Sequence, residues 1–188
     1  MEMEPFEKWV LRTRPWAWFS RRVVVPWTVS YAAPPPHADV LELGAGSGAE
    51  AEELAERFPS WRLTVTDYDP EMVGHARARL ARFEDRITVE QADATSLSHP
   101  DASFDVVIAM LVWHHVGVWQ EATAEARRVL RSGGLLVLAD VLDPWHLLHG
   151  FGTYTLRELQ ETFASSGFRR WKLDVGPRPW YRLVAEAP

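Results

Sequence analysis

The segment Val40-Leu41-Glu42-Leu43-Gly44-Ala45-Gly46-Ser47-Gly48 constrains this chain more than any other. A short apolar run ends in closely spaced glycines, and a helical pattern starts directly after them. Glycine lets a backbone turn sharply and approach a ligand, and a helix N-terminus offers unpaired N–H groups to a carboxylate or phosphate. Beyond the bend, Ala51, Leu54, Ala55 and Phe58 recur on one helical face, while Glu50, Glu52 and Glu53 crowd the first turn, where the helix dipole favours acids. A strand, a bare turn and a helix in immediate succession belong to an alternating α/β chain.

The rest of the chain continues the alternation. Residues 40–43, 63–66, 87–89, 104–110 and 135–139 read as strands, and the strongly apolar 104–110 reads as one covered on both faces. Asp69-Pro70-Glu71 reads as an N-cap followed by proline at the first helical position, with Met72, Val73, Ala76 and Leu80 as the apolar face. Ala122, Ala126, Val129 and Leu130 predict a helix stopped by Ser132-Gly133-Gly134. A helix over 156–163, ended by Gly167, precedes two strands over 168–175 and 180–185. The Gly176-Pro177 step between them suits a hairpin, so the last strand is expected to run antiparallel.

At 188 residues the chain is expected to form one domain with a real apolar core. Residues 1–36 differ in character: Trp9, Trp16, Trp18 and Trp27 are interleaved with Arg12, Arg14, Arg21 and Arg22, and Pro34, Pro35 and Pro36 close the segment. Consecutive prolines cannot continue a helix, so residues 1–36 read as an arm and 37–188 as the core. There is no cysteine, which excludes disulfides, thiolate metal sites and a cysteine nucleophile and fits a reducing cytoplasm. Lysine occurs only at Lys8 and Lys172, so no P-loop lysine exists. The formal net charge of −6 argues against broad nucleic-acid affinity, DNA included. No segment resembles a signal peptide, and no apolar run approaches the roughly 20 residues of a membrane span.

Asp67 ends the second strand about 20 residues past the glycines, where an acid can accept hydrogen bonds from both hydroxyls of a ribose. Its alternative is a helix cap, a task assigned here to Asp69. Tyr68, between them, is placed to lie against an adenine or to join the core. Gln91-Ala92-Asp93-Ala94 follows the third strand and brings another carboxylate to the carboxyl edge of the sheet, where parallel sheets bind ligands. Glu42, Asp67 and Asp93 are therefore expected to converge from consecutive strands. The same glycines also fit a dinucleotide fingerprint, with Ala49 in its third position. Glu42 two residues ahead of the first glycine, and the lack of a Tyr-x-x-x-Lys pair, turn the reading away from hydride transfer.

Taken together, residues 40–48, 65–73, 91–94, 103–116 and 128–140 resemble the class I S-adenosylmethionine-dependent methyltransferases. The resemblance is greatest to the type 11 branch that includes ubiquinone and menaquinone biosynthesis enzymes, and it covers about residues 39–139. It implies a three-layer αβα Rossmann-like sandwich with a seven-stranded, mostly parallel sheet and an antiparallel last strand. It further implies that the loop Gly44-Ala45-Gly46 through Gly48 packs against the methionine part of S-adenosyl-L-methionine, with Glu42 organising the loop from beneath. Asp67 would hold the ribose, Tyr68 would flank the adenine, Asp93 would accept from its amine beside Ala94, and Met110 would line the pocket near the sulfonium. S-Adenosyl-L-homocysteine would be the product.

Activation is built into such a cofactor, so the protein mainly holds methyl and acceptor in line. Where the acceptor must lose a proton, His114 and His115 are the candidate bases; a pocket-shaping role is their alternative. His146 and His149 extend the set of imidazoles, but the hard oxygen ligands and the asparagine that hold magnesium in metal-assisted relatives are missing, so no metal is expected. The expected acceptor is a small molecule, beneath a lid in which Phe6, Trp9 and Val10 share a helical face. The tryptophans could instead pack on the core, and the arginines could contact RNA or an anionic membrane surface, a charge diluted by Glu2, Glu4 and Glu7. An RNA or protein methyltransferase, and a module that binds the cofactor without turnover, are the other classes. Monomer and homodimer both fit.

Overall fold

The computed structural model describes residues 5–142, 154–176 and 179–188. Among them seven strands form one sheet: β1 (Asp39–Leu43), β2 (Arg62–Asp67), β3 (Ile87–Gln91), β4 (Phe104–Met110), β5 (Leu130–Val141), β6 (Arg170–Val175) and β7 (Trp180–Glu186). Their order is β3-β2-β1-β4-β5-β7-β6. Strands β1 to β5 are parallel, and β7 runs antiparallel to both neighbours. The chain leaves β1 toward β2 on one side and returns to β4 on the other, which opens a crevice at the carboxyl end of β1.

Helices cover both faces: α1 (Pro5–Leu11), α2 (Arg14–Phe19), α3 (Val25–Ala32), α4 (Ala49–Arg57), α5 (Pro70–Leu80), α6 (Trp119–Val129) and α7 (Leu156–Ser165), with a π-helical turn at Ser20–Val24 joining α2 to α3. The two-residue period of the strands divides the core. Leu41 and Leu43 pack with Ala122 and Ala126 of α6 and Leu159 and Phe163 of α7. Val40 packs on the opposite face with Leu54 of α4, Ala76 of α5 and Val25 and Val29 of α3. This is the three-layer α/β sandwich that the sequence pattern predicts.

Helix α6 stops at Val129, one residue short of its expected end. Leu130 is already extended (φ −77°, ψ 137°) and pairs with Phe104 of β4. The register then shifts before Val106 meets Leu135, so Ser132-Gly133-Gly134 lies in an irregularity of β5 and does not end the helix. Leu130 satisfies the helical spacing and is buried either way; pairing along β4 decides its backbone. Strand β6 begins at Arg170, two residues later than expected, and β5 runs on to Val141.

The end of the 1–36 segment is built into the sandwich. Val25 and Val29 of α3 are buried, the Arg182 guanidinium donates to the Trp27 carbonyl at 2.7 Å, and Lys172 Nζ donates to the Tyr31 carbonyl at 2.7 Å. Residues 5–19 instead lie at the carboxyl edge of the sheet, where Leu11 meets Ser47 and Phe6 and Trp16 line a cavity. No helix among the described residues is long and apolar enough to cross a membrane.

Candidate functional site

The bend after β1 is held by β2. Gly44 and Gly46 take φ values of 68° and 52°, a left-handed backbone that glycine adopts without steric cost. A Cβ on Gly44 would also lie 2.4 Å from a Val112 methyl carbon. The Ala45 N–H donates to the Thr66 carbonyl at 2.9 Å, and the Gly46 N–H donates to Asp67 Oδ2 at 2.7 Å. Asp67 Oδ1 accepts from the Asp69 N–H at 2.9 Å, so this one carboxylate ties the bend to the start of α5. Burial pushes its carboxyl above the usual range, against the effect of the two N–H donors. Asp69 caps α5 by accepting from the Glu71 N–H at 2.8 Å.

Glu42 lies behind the bend and is only 2 % exposed. Its Oε2 has no hydrogen-bond partner among the described residues, and burial, reinforced by Glu50 and Asp67, drives its carboxyl well above the usual range. Asp93 follows β3, where the Thr95 hydroxyl and N–H donate to Oδ1 at 2.7 and 2.9 Å and hold its carboxyl below the usual range.

A cavity of about 730 Å³ opens at this edge of the sheet. It is lined by Gly44, Ala45 and Gly46 of the bend, by Asp67 and Tyr68 after β2 and Asp93 and Ala94 after β3, and by Met110, His114 and His115 at and after the end of β4. Glu42 and Gly48, both expected to bind the cofactor, are not in the wall: Glu42 is buried, and Gly48 lies against Ala76 of α5. Phe6, Val10 and Leu11 of α1 and Trp16 of α2 form the outer wall. Ser47 Oγ donates to the Leu11 carbonyl at 2.7 Å, while Lys8 Nζ lies 2.5 Å from Asp69 and Arg12 Nη1 lies 2.8 Å from Glu71.

The histidine end is set by a short 3₁₀ turn, Trp113–His115, after β4. Leu111 enters it with φ 60°, strain of the kind that clusters at functional sites. Trp113 anchors the turn; its ring is buried and Nε1 donates to Thr123 Oγ1 at 3.2 Å. The flanking His114 ring therefore meets Asp140, at the end of β5. Nδ1 lies 2.5 Å from Asp140 Oδ1, and the His114 N–H donates to Oδ2 at 3.2 Å. Asp140 is 1 % exposed. Tyr154 Oη donates to its Oδ2 at 3.4 Å and lies 2.5 Å from Tyr181 Oη. Burial and the Asp140 charge push both phenols well above their ordinary range, so both stay protonated.

Sequence reasoning missed Asp140, Tyr154 and Tyr181. Only Asp140 left a signal, as an acid at the carboxyl end of an apolar strand. His115 shares the cavity wall, its ring centroid 4.0 Å from that of His114. His146 and His149 lie outside the described residues. Among the described residues, no group of three or more histidine or acidic side chains is placed to hold a metal ion.

The family model of the methyltransferase domain matches residues 40–134, from the first residues of β1 to the irregularity in β5. The chain is 36 % identical over 129 residues to a malonyl-[acyl-carrier protein] O-methyltransferase of Geobacter sulfurreducens, covering 69 % of this chain and 44 % of that one. It is 36 % identical over 111 residues to a demethylmenaquinone methyltransferase of Deinococcus radiodurans, covering 59 % and 46 %. Each match thus spans less than half of the relative's length. The fold superposes over the full length of both chains on a SAM-dependent methyltransferase from Aquifex aeolicus, with a TM-score of 0.81 at 15 % identity.

Proposed function

The chain belongs to the methyltransferase domain family, and on that premise we propose that it transfers the methyl group of S-adenosylmethionine to a small acceptor with a largely apolar body. The observation that carries this reading is one cavity lined both by the glycine bend and by His114, whose ring meets Asp140.

The bend end fits the cofactor. Asp67 lines the cavity, and each carboxylate oxygen retains acceptor capacity for a ribose hydroxyl beyond the N–H it already binds. Asp67 and Asp93, the acids in the wall at this end, suit the hydroxyls and amine of an adenosine. In this reading Gly44, Ala45 and Gly46 lie along the methionine part. Tyr68, Asp93 and Ala94 surround the adenine, Met110 faces the sulfonium, and Gly48 keeps α4 close enough to α5 to hold the bend. Glu42 acts from behind the wall.

When bound, the cofactor supplies a methyl group that needs no further activation. The chain's own residues place the acceptor and manage its proton. His114 and His115 stand at the acceptor end, and Val116, Val118, Leu142 and Trp180 offer it apolar walls. The helices from Pro5 to Phe19 act as a lid: they close the outer wall and are fastened through Lys8 and Arg12 to the start of α5. Of the two relatives, one is named for demethylmenaquinone, a small acceptor, and the other for a malonyl group borne on an acyl-carrier protein.

Incubating the protein with methyl-labelled S-adenosylmethionine and a small-molecule cell extract tests the reading. Labelled product and S-adenosylhomocysteine are expected together, and failure to form either contradicts it. In the same assay His114→Ala is expected to lower turnover about 100-fold or more, with S-adenosylhomocysteine affinity changed by less than about threefold. Equal losses in both would make His114 structural.

A further inference from the structure

Asp140 carries no role in a cofactor site, yet it is buried and surrounded by hydrogen-bond donors. The His114 N–H, His114 Nδ1, the Val141 N–H and Tyr154 Oη all converge on its two oxygens. A carboxylate can only accept, so the neutral His114 ring must present its proton at Nδ1. Its basic lone pair is then on Nε2. Tyr154 completes the cage from the start of α7, and its partner Tyr181 comes from β7. Elements from three parts of the chain thus fix one carboxylate, which fixes one tautomer.

We propose that Asp140, held by Tyr154 and Tyr181, is the positioning residue that makes His114 Nε2 the acceptor's base, and that the acceptor reacts through a hydroxyl group. The proposal rests on the methyltransferase reading of the cavity. A carboxylate acceptor has no proton to lose and would leave the pair idle. An aliphatic amine is an ammonium at neutral pH, and its charge would lose hydration among Val116, Leu142 and Trp180. A hydroxyl is neutral on arrival and needs a base only as it reacts. In the step, the hydroxyl oxygen forms a bond to the methyl carbon while the carbon–sulfur bond breaks. That electron pair stays on sulfur as a neutral thioether, and the hydroxyl proton moves to Nε2. Asp140 then faces an imidazolium, which its charge stabilises, and the proton is returned to water.

Two measurements test this. Nitrogen-15 NMR of histidine-labelled protein with S-adenosylhomocysteine, the His114 signals assigned by their loss in His114→Gln, is expected to show a protonated Nδ1 and an unprotonated Nε2 at neutral pH. Asp140→Ala is expected to lose that preference and shift His114 toward the Nε2–H form. A wild-type Nε2–H tautomer overturns the proposal even if Asp140→Ala fails to fold, and so does an unchanged tautomer in a folded Asp140→Ala. The second is the position of the labelled methyl in the product of the extract assay. An ether supports the proposal; a methyl ester, a methylamine or a methylated sulfur or carbon overturns its hydroxyl acceptor. Failure of S-adenosylhomocysteine to bind wild-type protein would instead remove the cofactor reading, whichever tautomer His114 shows.

Discussion

Replacing Asp67 with alanine removes the acceptor for the Gly46 and Asp69 N–H groups together with the proposed ribose contacts. Hydrogen bonds to charged groups are worth about 1.5–3 kcal/mol each, so S-adenosylhomocysteine affinity is expected to fall at least about tenfold. Calorimetry checks the first effect, and a melting temperature lowered by several degrees would report the loosened bend. Glu42 predicts an effect of opposite kind. Its folded-state carboxyl is driven above the ordinary 4.5 by burial first and by Glu50 and Asp67 second. An acid raised on folding favours the fold when protonated, so this group's contribution declines as pH rises from its unfolded value through its raised folded one. Glu42→Gln is expected to melt higher than wild type above pH 7, with the gap narrowing toward pH 4.5. A gap that widens on acidification contradicts the assignment.

At the scale of elements, glycines separate by what a side chain would meet. At Gly48, φ is 78° and an added Cβ would lie 3.1 Å from the Ala76 backbone, where α4 passes α5. Gly48→Ala is expected to cost about 1–3 kcal/mol in chemical denaturation. Gly74 lies inside α5 with open space around it, so Gly74→Ala is expected to add about 0.4–1 kcal/mol. What the sequence made legible follows the same division. The β1 bend, the Asp69 cap and the antiparallel tail are local: a few neighbouring residues specify each one, and each formed as expected. The end of α6 was not local, because Leu130 fits a helix by spacing and becomes strand only by pairing with Phe104, 26 positions earlier. The Asp140 cage is less local still. Its parts come from the turn after β4, the end of β5, the start of α7 and β7, and no spacing relates them.

Over the whole molecule, residues 5–32 do two things. Helix α3 closes one layer of the sandwich, while α1 and α2 wall the cavity with Phe6, Val10, Leu11 and Trp16. In the proposed lid, the contacts of Lys8 and Arg12 with Asp69 and Glu71 set how readily that wall opens. Trypsin cleavage after Arg12 is therefore expected to slow when S-adenosylhomocysteine is bound, and an unchanged rate contradicts a ligand-coupled lid.

The central claim is that the glycine bend and the carboxylates at neighbouring strand ends hold an adenosyl cofactor. Titration calorimetry of the wild-type chain with S-adenosylhomocysteine tests it most directly. The account predicts one site per chain, with about 2.7 kcal/mol of added stability at ligand one-hundredfold above Kd. No binding heat and no shift in melting temperature at millimolar ligand would contradict it.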